Sequence, residues 1–168
     1  MRRLLLITLL ACVAAPAAAL AANADVGDGT LAVRDAAGTL RLDIEGAAIG
    51  RLEGGQIEVI SQTIDDCKDL DVWGADRRST RIKATGATSC LFTELIDGGT
   101  LQPIRFRLAL DAGATLIVRS TAELSLSAVG QGRGTIKGTD GTYSLNGGKF
   151  LPLPADDPVS FRLGGTLE

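Results

Sequence analysis

The sequence contains no histidine. That absence removes a serine triad with an imidazole base, a Cys–His nucleophile pair and any zinc site built on histidine. Ser-x-x-Lys is missing as well. Carboxylate chemistry, calcium binding or no catalysis at all remain. Aromatic residues make up 4% of the chain, with one tryptophan and one tyrosine. That is too few for the girdles of an outer-membrane barrel. Only five prolines accompany 21 glycines. Beyond the N-terminal segment no stretch sustains a period of 3.6, so nothing predicts a helical bundle.

What is present begins with an export signal. Arg2 and Arg3 precede an apolar run that starts at Leu4–Leu10 and continues through alanine-rich sequence to Leu20. Ala22-Asn23-Ala24 fits a signal-peptidase site before Asp25, and Ala19-Leu20-Ala21 is an alternative. Residues 1–24 are therefore expected to be a cleaved signal peptide and 25–168 a single domain. An uncleaved anchor is the competing reading, weakened by alanine and Pro16. Lipidation at Cys12 is a further alternative, though the apolar run before it is short. After cleavage 15 basic and 20 acidic residues remain, a net charge of about −5. No basic patch points to nucleic acid, and no span is left to cross a membrane. The expected location is periplasmic or secreted.

Cys67 and Cys90 are the cysteines of the mature chain. Export makes a disulfide between them the expected state. It would close a loop of about 24 residues, worth about 3 kcal/mol by chain-closure entropy.

The glycines are interspersed with valine, isoleucine, leucine and threonine, a pattern of short strands and tight turns. Residues 39–45 place Leu40, Leu42 and Ile44 on one face, and 56–60 place Ile57 and Val59 on one face. Turns are expected at 35–38, at Gly46 and at 53–55. Residues 104–110 alternate cleanly, with Ile104, Phe106, Leu108 and Leu110 inward and Arg105, Arg107 and Ala109 outward. With residues 115–119 they predict a hairpin. Residues 123–153 read as strand, turn, strand, turn, strand, with Gly130, Gly132, Gly134, Gly138 and Gly141 as corners. The expectation is an all-β fold, an antiparallel β-sandwich or small barrel of about ten short strands. Similar pieces recur at Ala48–Gly50 and Ala128–Gly130, but the order of matching pieces is reversed between halves, so no tandem repeat is read from them.

Residues 61–79 break the strand pattern with five aspartates, paired arginines and the only tryptophan. Such a long connection is a candidate contact loop, carried by Asp69, Asp71, Trp73, Asp76, Arg77 and Arg78. Its aspartates invite a calcium reading. Asp69-x-Asp71 begins like an EF-hand loop, but the fifth position is Trp73 and the twelfth is Thr80. Balanced surface charge is the preferred explanation, so no metal ligand is assigned. Trp73 reads as a cap on the core beside Cys67, with an exposed anchor as the alternative. Gly130-x-Gly132-x-Gly134 lacks the following helix of a dinucleotide fingerprint. No catalytic residue and no cofactor is assigned.

Ser127–Gly134, then Asp140–Gly147, then Phe150–Pro154 resembles a group of uncharacterised exported bacterial all-β proteins. The resemblance covers about 30 residues near the C-terminus, with a fainter likeness over residues 40–60, and implies no activity. The expected function is an exported cell-envelope β-domain, non-enzymatic, that binds an envelope protein or glycan or serves structurally. The alternatives are a small carboxylate-dependent glycan hydrolase and a barrel that binds a small apolar ligand.

Overall fold

A computed structural model describes residues 28–164. The expected signal peptide at 1–24, its cleavage site and Cys12 lie outside the described residues. The fold is all-β and antiparallel, with ten strands: β1 (Gly29–Ser61), β2 (Asp71–Trp73), β3 (Ala75–Arg81), β4 (Thr88–Glu94), β5 (Ile96–Asp97), β6 (Thr100–Leu101), β7 (Ile104–Leu110), β8 (Thr115–Leu145), β9 (Leu151–Pro152) and β10 (Val159–Leu163). One turn of 3-10 helix, Cys67–Asp69, precedes β2, and the Asp66 side chain caps it by accepting from the Lys68 N–H.

Two of these strands are far longer than the sequence pattern suggests. β1 has 33 residues and β8 has 31. They lie antiparallel from Leu31 opposite Leu145 to Ile60 opposite Thr115. The first half of β1 also meets the first half of β8, from Gly29 opposite Gly130 to Asp43 opposite Thr115. The two strands thus coil about each other into a sandwich-like wrap. Across it run the second half of β8, the first half of β1, the first half of β8 and the second half of β1. β10 extends one side. β7 and β4 both pair with the second half of β1 on the other side, with β2 beyond β7 and β3 beyond β4.

The expected turns at 35–38, Gly46 and 53–55 therefore fall inside β1, and those at Gly130–Gly141 fall inside β8. At 35–38, at 53–55 and at Gly141 the physical cause is the β-bulge, whereas the register runs unbroken past Gly46 and from Gly130 to Gly138. One extra residue flips the inward face and bends the strand without ending it. In β1 the buried set shifts from Leu31 and Val33 to Ala36, Leu40 and Leu42 across Asp35, whose φ is +50°. It shifts again across Gly54 and Gly55 to Ile57 and Val59. In β8 it shifts from Ile136 to Tyr143 across Gly141, φ +90°. A parity change in the sequence looks like a turn, but here it is a bend.

Gly46 and Gly130 face each other where the strands bend. A Cβ on Gly46 would stand 2.1 Å from the Val129 carbonyl oxygen, and one on Gly130 would stand 2.2 Å from that of Glu45. Only glycine permits this approach.

Around that pair the fold has an internal two-fold correspondence. Four residues on from each lie Gly50 and Gly134, six on Leu52 and Ile136, and eight on Gly54 and Gly138. Four and six residues back lie Leu42 and Leu40 in β1, Leu126 and Leu124 in β8. Phe106 of β7 stands opposite Gly50, and Phe161 of β10 stands opposite Gly134. Each ring covers its glycine. The short strands match in sequence too: Pro103-Ile-Arg-Phe-Arg-Leu108 and Pro158-Val-Ser-Phe-Arg-Leu163. β9 beside Thr142 and Tyr143 occupies the place that β4 holds beside Glu58 and Val59. The chain is thus β1–β4–β7 followed by β8–β9–β10. The first unit carries two additions: residues 62–87 with the 3-10 turn, β2 and β3, and residues 95–102 with β5 and β6.

The interior is filled by aliphatic side chains with Phe92 and Phe106. Cys67 and Cys90 are bonded, with their Cα atoms 5.4 Å apart. The bond ties the first addition to the middle of β4.

Candidate functional site

The residues of the expected contact loop are not in an irregular loop. Strands β2 and β3 form because each finds a partner, β7 and β4 respectively, although aspartate and arginine give the sequence little β character. Asp69 lies in the 3-10 turn, Asp71 and Trp73 in β2, and Asp76, Arg77 and Arg78 in β3. All six are exposed. They divide into separate groups. Asp71 and Trp73 point outward from β2, with Val72 inward against Phe106. Asp76 and Arg78 share one face of β3, opposite Thr93 and Leu91. Arg77 takes the other face, and its guanidinium donates to the Val72 carbonyl at 2.7 Å, tying β3 to β2. The aspartates do not converge, and among the described residues no group of three or more acidic or cysteine side chains could hold a metal ion.

Trp73 is 53% exposed and does not cap the core. That place beside Cys67 is taken by Leu70 and Val72, which are buried. Trp73 stands opposite Arg105 of β7, which stands opposite Arg51 of β1. These side chains form one outward row on strands about 4.8 Å apart. Asp71, Arg107 and Ile49 form the next row. Arg51 is ion-paired with Glu53.

The second addition flanks the same tryptophan. The Leu95 N–H donates to the Gly74 carbonyl at 3.4 Å, and Gln102 closes the β5–β6 hairpin by donating to Leu95. The hairpin carries Ile96 and Leu101, 68% and 56% exposed. Trp73, Ile96 and Leu101 lie in the additions, and outside them Leu151 of β9 is about as exposed as Trp73. The sequence singled out Trp73 but not the hairpin. Ile96 and Leu101 carry no signal of their own in the sequence.

Two clefts indent the surface elsewhere. One, of about 660 Å³, lies between the loop at Ala112–Ala114 and the end of β10, and holds Arg41, Asp43, Glu45, Arg133 and Arg162. Arg41 is bidentate on Asp43, Nε to Oδ2 at 3.0 Å and a terminal nitrogen to Oδ1 at 2.9 Å. Thr115 donates to the same Oδ1 at 2.6 Å. Partial burial pushes the Asp43 carboxyl up, but hydrogen bonds from Arg41 and Thr115 and the charges of Arg41 and Arg133 outweigh it. The net direction is down. The Arg41 guanidinium is correspondingly held above its ordinary value by its hydrogen bond to Asp43. A carboxylate held ionised in this way cannot serve as the protonated acid of a glycosidase pair. The other cleft, of about 540 Å³, is lined by Asp35, Glu123 and Asp140 with Arg34. Asp140 turns back to accept from the Gly141 N–H at 2.8 Å.

Fold and site define an all-β domain with a side-chain-filled core and three exposed apolar side chains on its additions. No helix among the described residues is long and apolar enough to cross a membrane. Comparison with protein-family models, curated proteins and solved structures finds no match.

Proposed function

We propose that the chain is an exported cell-envelope domain that works by binding, not catalysis, and that its contact surface is the patch of Trp73, Ile96 and Leu101. One observation carries this reading. The β8–β9–β10 unit completes its half of the fold without counterparts of β2, β3, β5 or β6. The first unit has them, and they hold the exposed tryptophan. The first addition lends Cys67, Leu70 and Val72 to the core, but the exposed side chains of the additions have no part in that packing, which points to a role outside the fold.

The chemistry of these residues favours a protein partner. Tryptophan and arginine dominate the energetic centres of protein interfaces, and here Trp73 stands opposite Arg105, with two exposed aliphatic side chains on the hairpin hydrogen-bonded next to Gly74. The disulfide supports export, because such bonds persist in oxidising compartments. The resemblance of residues 127–154 to exported bacterial proteins agrees with that location. The filled interior counts against an apolar-ligand barrel.

A photo-crosslinking side chain in place of Leu101 tests the reading in cells that export the protein. A discrete protein adduct is expected, and it should vanish when Trp73→Ala is added. Trp73-dependent co-sedimentation of the purified protein with envelope glycan, without a protein adduct, would replace the partner class. Neither form of Trp73-dependent binding would refute the contact surface.

A further inference from the structure

We propose that the 660 Å³ cleft between β10 and the Ala112–Ala114 loop binds the oxyanion group of a small ligand, a carboxylate or a phosphate, through Arg133 and Arg162. This site is independent of the Trp73 patch.

Asp43, Arg133 and Arg162 stand opposite one another on three successive strands. Two arginines directly opposite across antiparallel strands repel, so the pairing needs compensation. Asp43 supplies little of it. Its oxygens are taken by the Arg41 fork and the Thr115 hydroxyl. Arg133 feels the Asp43 charge, but no ion pair of Arg133 or Arg162 is present among the described residues. Glu45 also lines the cleft, which leaves three arginines facing two carboxylates in a chain that is acidic as a whole.

The internal correspondence shows that the fold does not demand this arrangement. At the equivalent place in the first unit, Ile49 stands opposite Arg107. The frame accepts an aliphatic residue where the second unit has Arg133. The approach is open as well, because the facing loop consists of Ala112, Gly113 and Ala114 and a Cβ on Gly113 would meet nothing within 4 Å. Guanidinium groups on neighbouring strands can grip one oxyanion from two sides with paired N–H donors, as arginine does for carboxylate and phosphate.

Inorganic phosphate and glucuronate are the two probes. Each is titrated into the exported, processed protein at constant ionic strength and followed by amide chemical shifts. Saturable shifts are expected at Gly113, Arg133 and Arg162, with a Kd of about 1 mM, a usual strength for a single small anion. Saturation by phosphate alone or by glucuronate alone supports the site and identifies the source of the oxyanion. The exposed double variant Arg133→Gln/Arg162→Gln should weaken binding at least about tenfold, the loss of roughly one charged hydrogen-bonding pair. Asp43→Asn, which releases Arg41, should tighten it. Trp73→Ala should leave it unchanged. Linear shifts with both anions, or saturable binding that survives in the double variant, would overturn the proposal.

Discussion

Gly50 is glycine because of the ring above it, and a double-mutant cycle with Phe106 measures that directly. A Cβ at position 50 would lie 2.5 Å from Cζ and 2.9 Å from Cε1 of Phe106, and 2.9 Å from the Ser125 carbonyl oxygen. The φ of Gly50 is not in the left-handed region, so backbone strain is not the obstacle. Phe106 is 1% exposed and cannot swing outward. Overpacking of this kind costs about 1–3 kcal/mol. The lower unfolded-state entropy of alanine returns about 0.4–1 kcal/mol. Gly50→Ala should therefore destabilise by about 1–2 kcal/mol. Phe106→Leu alone removes ring contacts and should cost about 1–2 kcal/mol. In the double variant the leucine vacates the space the methyl needs, so the two costs should overlap by at least about 1 kcal/mol. Urea unfolding with the disulfide intact gives all four stabilities. Additivity within about 0.5 kcal/mol would refute the ring-on-glycine account and leave the Ser125 carbonyl as the obstacle.

Reduction of Cys67–Cys90 should lower stability by about 3 kcal/mol, read as a shift in the urea midpoint; two alkylatable thiols in the native protein would contradict the pairing. Gly130→Ala should be worse than Gly50→Ala, because the methyl would meet the Glu45 carbonyl and the Gly46 Cα, backbone atoms that cannot step aside; equal melting temperatures would count against the close strand approach. Asp43 is held below its ordinary value of 3.8. Its contribution is therefore fully present above that pH and is lost as pH falls through the lower folded value. The pair is largely exposed, so the effect is at most about 1 kcal/mol, and Asp43→Asn should flatten the acid limb of stability against pH by that amount. Replacing residues 96–101 with a short glycine turn should leave the melting temperature within a few degrees, since both apolar side chains removed are exposed; collapse of the fold would show that the hairpin is structural.

The alternation at 39–45 and 104–110 made those inward faces legible, and Leu40, Leu42, Ile44, Ile104, Phe106, Leu108 and Leu110 are all buried. The all-β class was legible from the same pattern, and the disulfide from the cysteine count and the expected export. Strand length was not. A bulge at Asp35 and a turn at Asp35 leave the same mark in a single sequence: a flexible residue and a change of parity. Only the partner strand, continuing in register past the bulge, tells them apart. The internal correspondence was hidden for a related reason. Matching by short look-alike pieces paired Ala48–Gly50 with Ala128–Gly130, whereas the strand registers pair Gly46 with Gly130 and Phe106 with Phe161. Trp73 was legible as an outlier, but its exposure depends on which neighbours fill the core, and Leu70 and Val72 do.

Positions that the two units share have packing explanations. Gly46 and Gly130 admit the strand crossing, Gly50 and Gly134 admit a phenylalanine ring, and Leu52 and Ile136 fill the core between them. A frame with such demands would impose them in both units whatever the protein does. Features found in one unit alone have no such warrant. Two clusters qualify. The first is the pair of additions with Trp73, Ile96 and Leu101, anchored to β4 through Cys67–Cys90. The second is Arg133 opposite Arg162, where the matching place holds Ile49 opposite Arg107. One is apolar and exposed, the other cationic and recessed, so they suit different ligands. Surface residues lost at either cluster should leave the frame standing, whereas the shared glycines and phenylalanines should not be replaceable without loss of stability. That contrast separates what the chain needs in order to fold from what it carries for some other purpose.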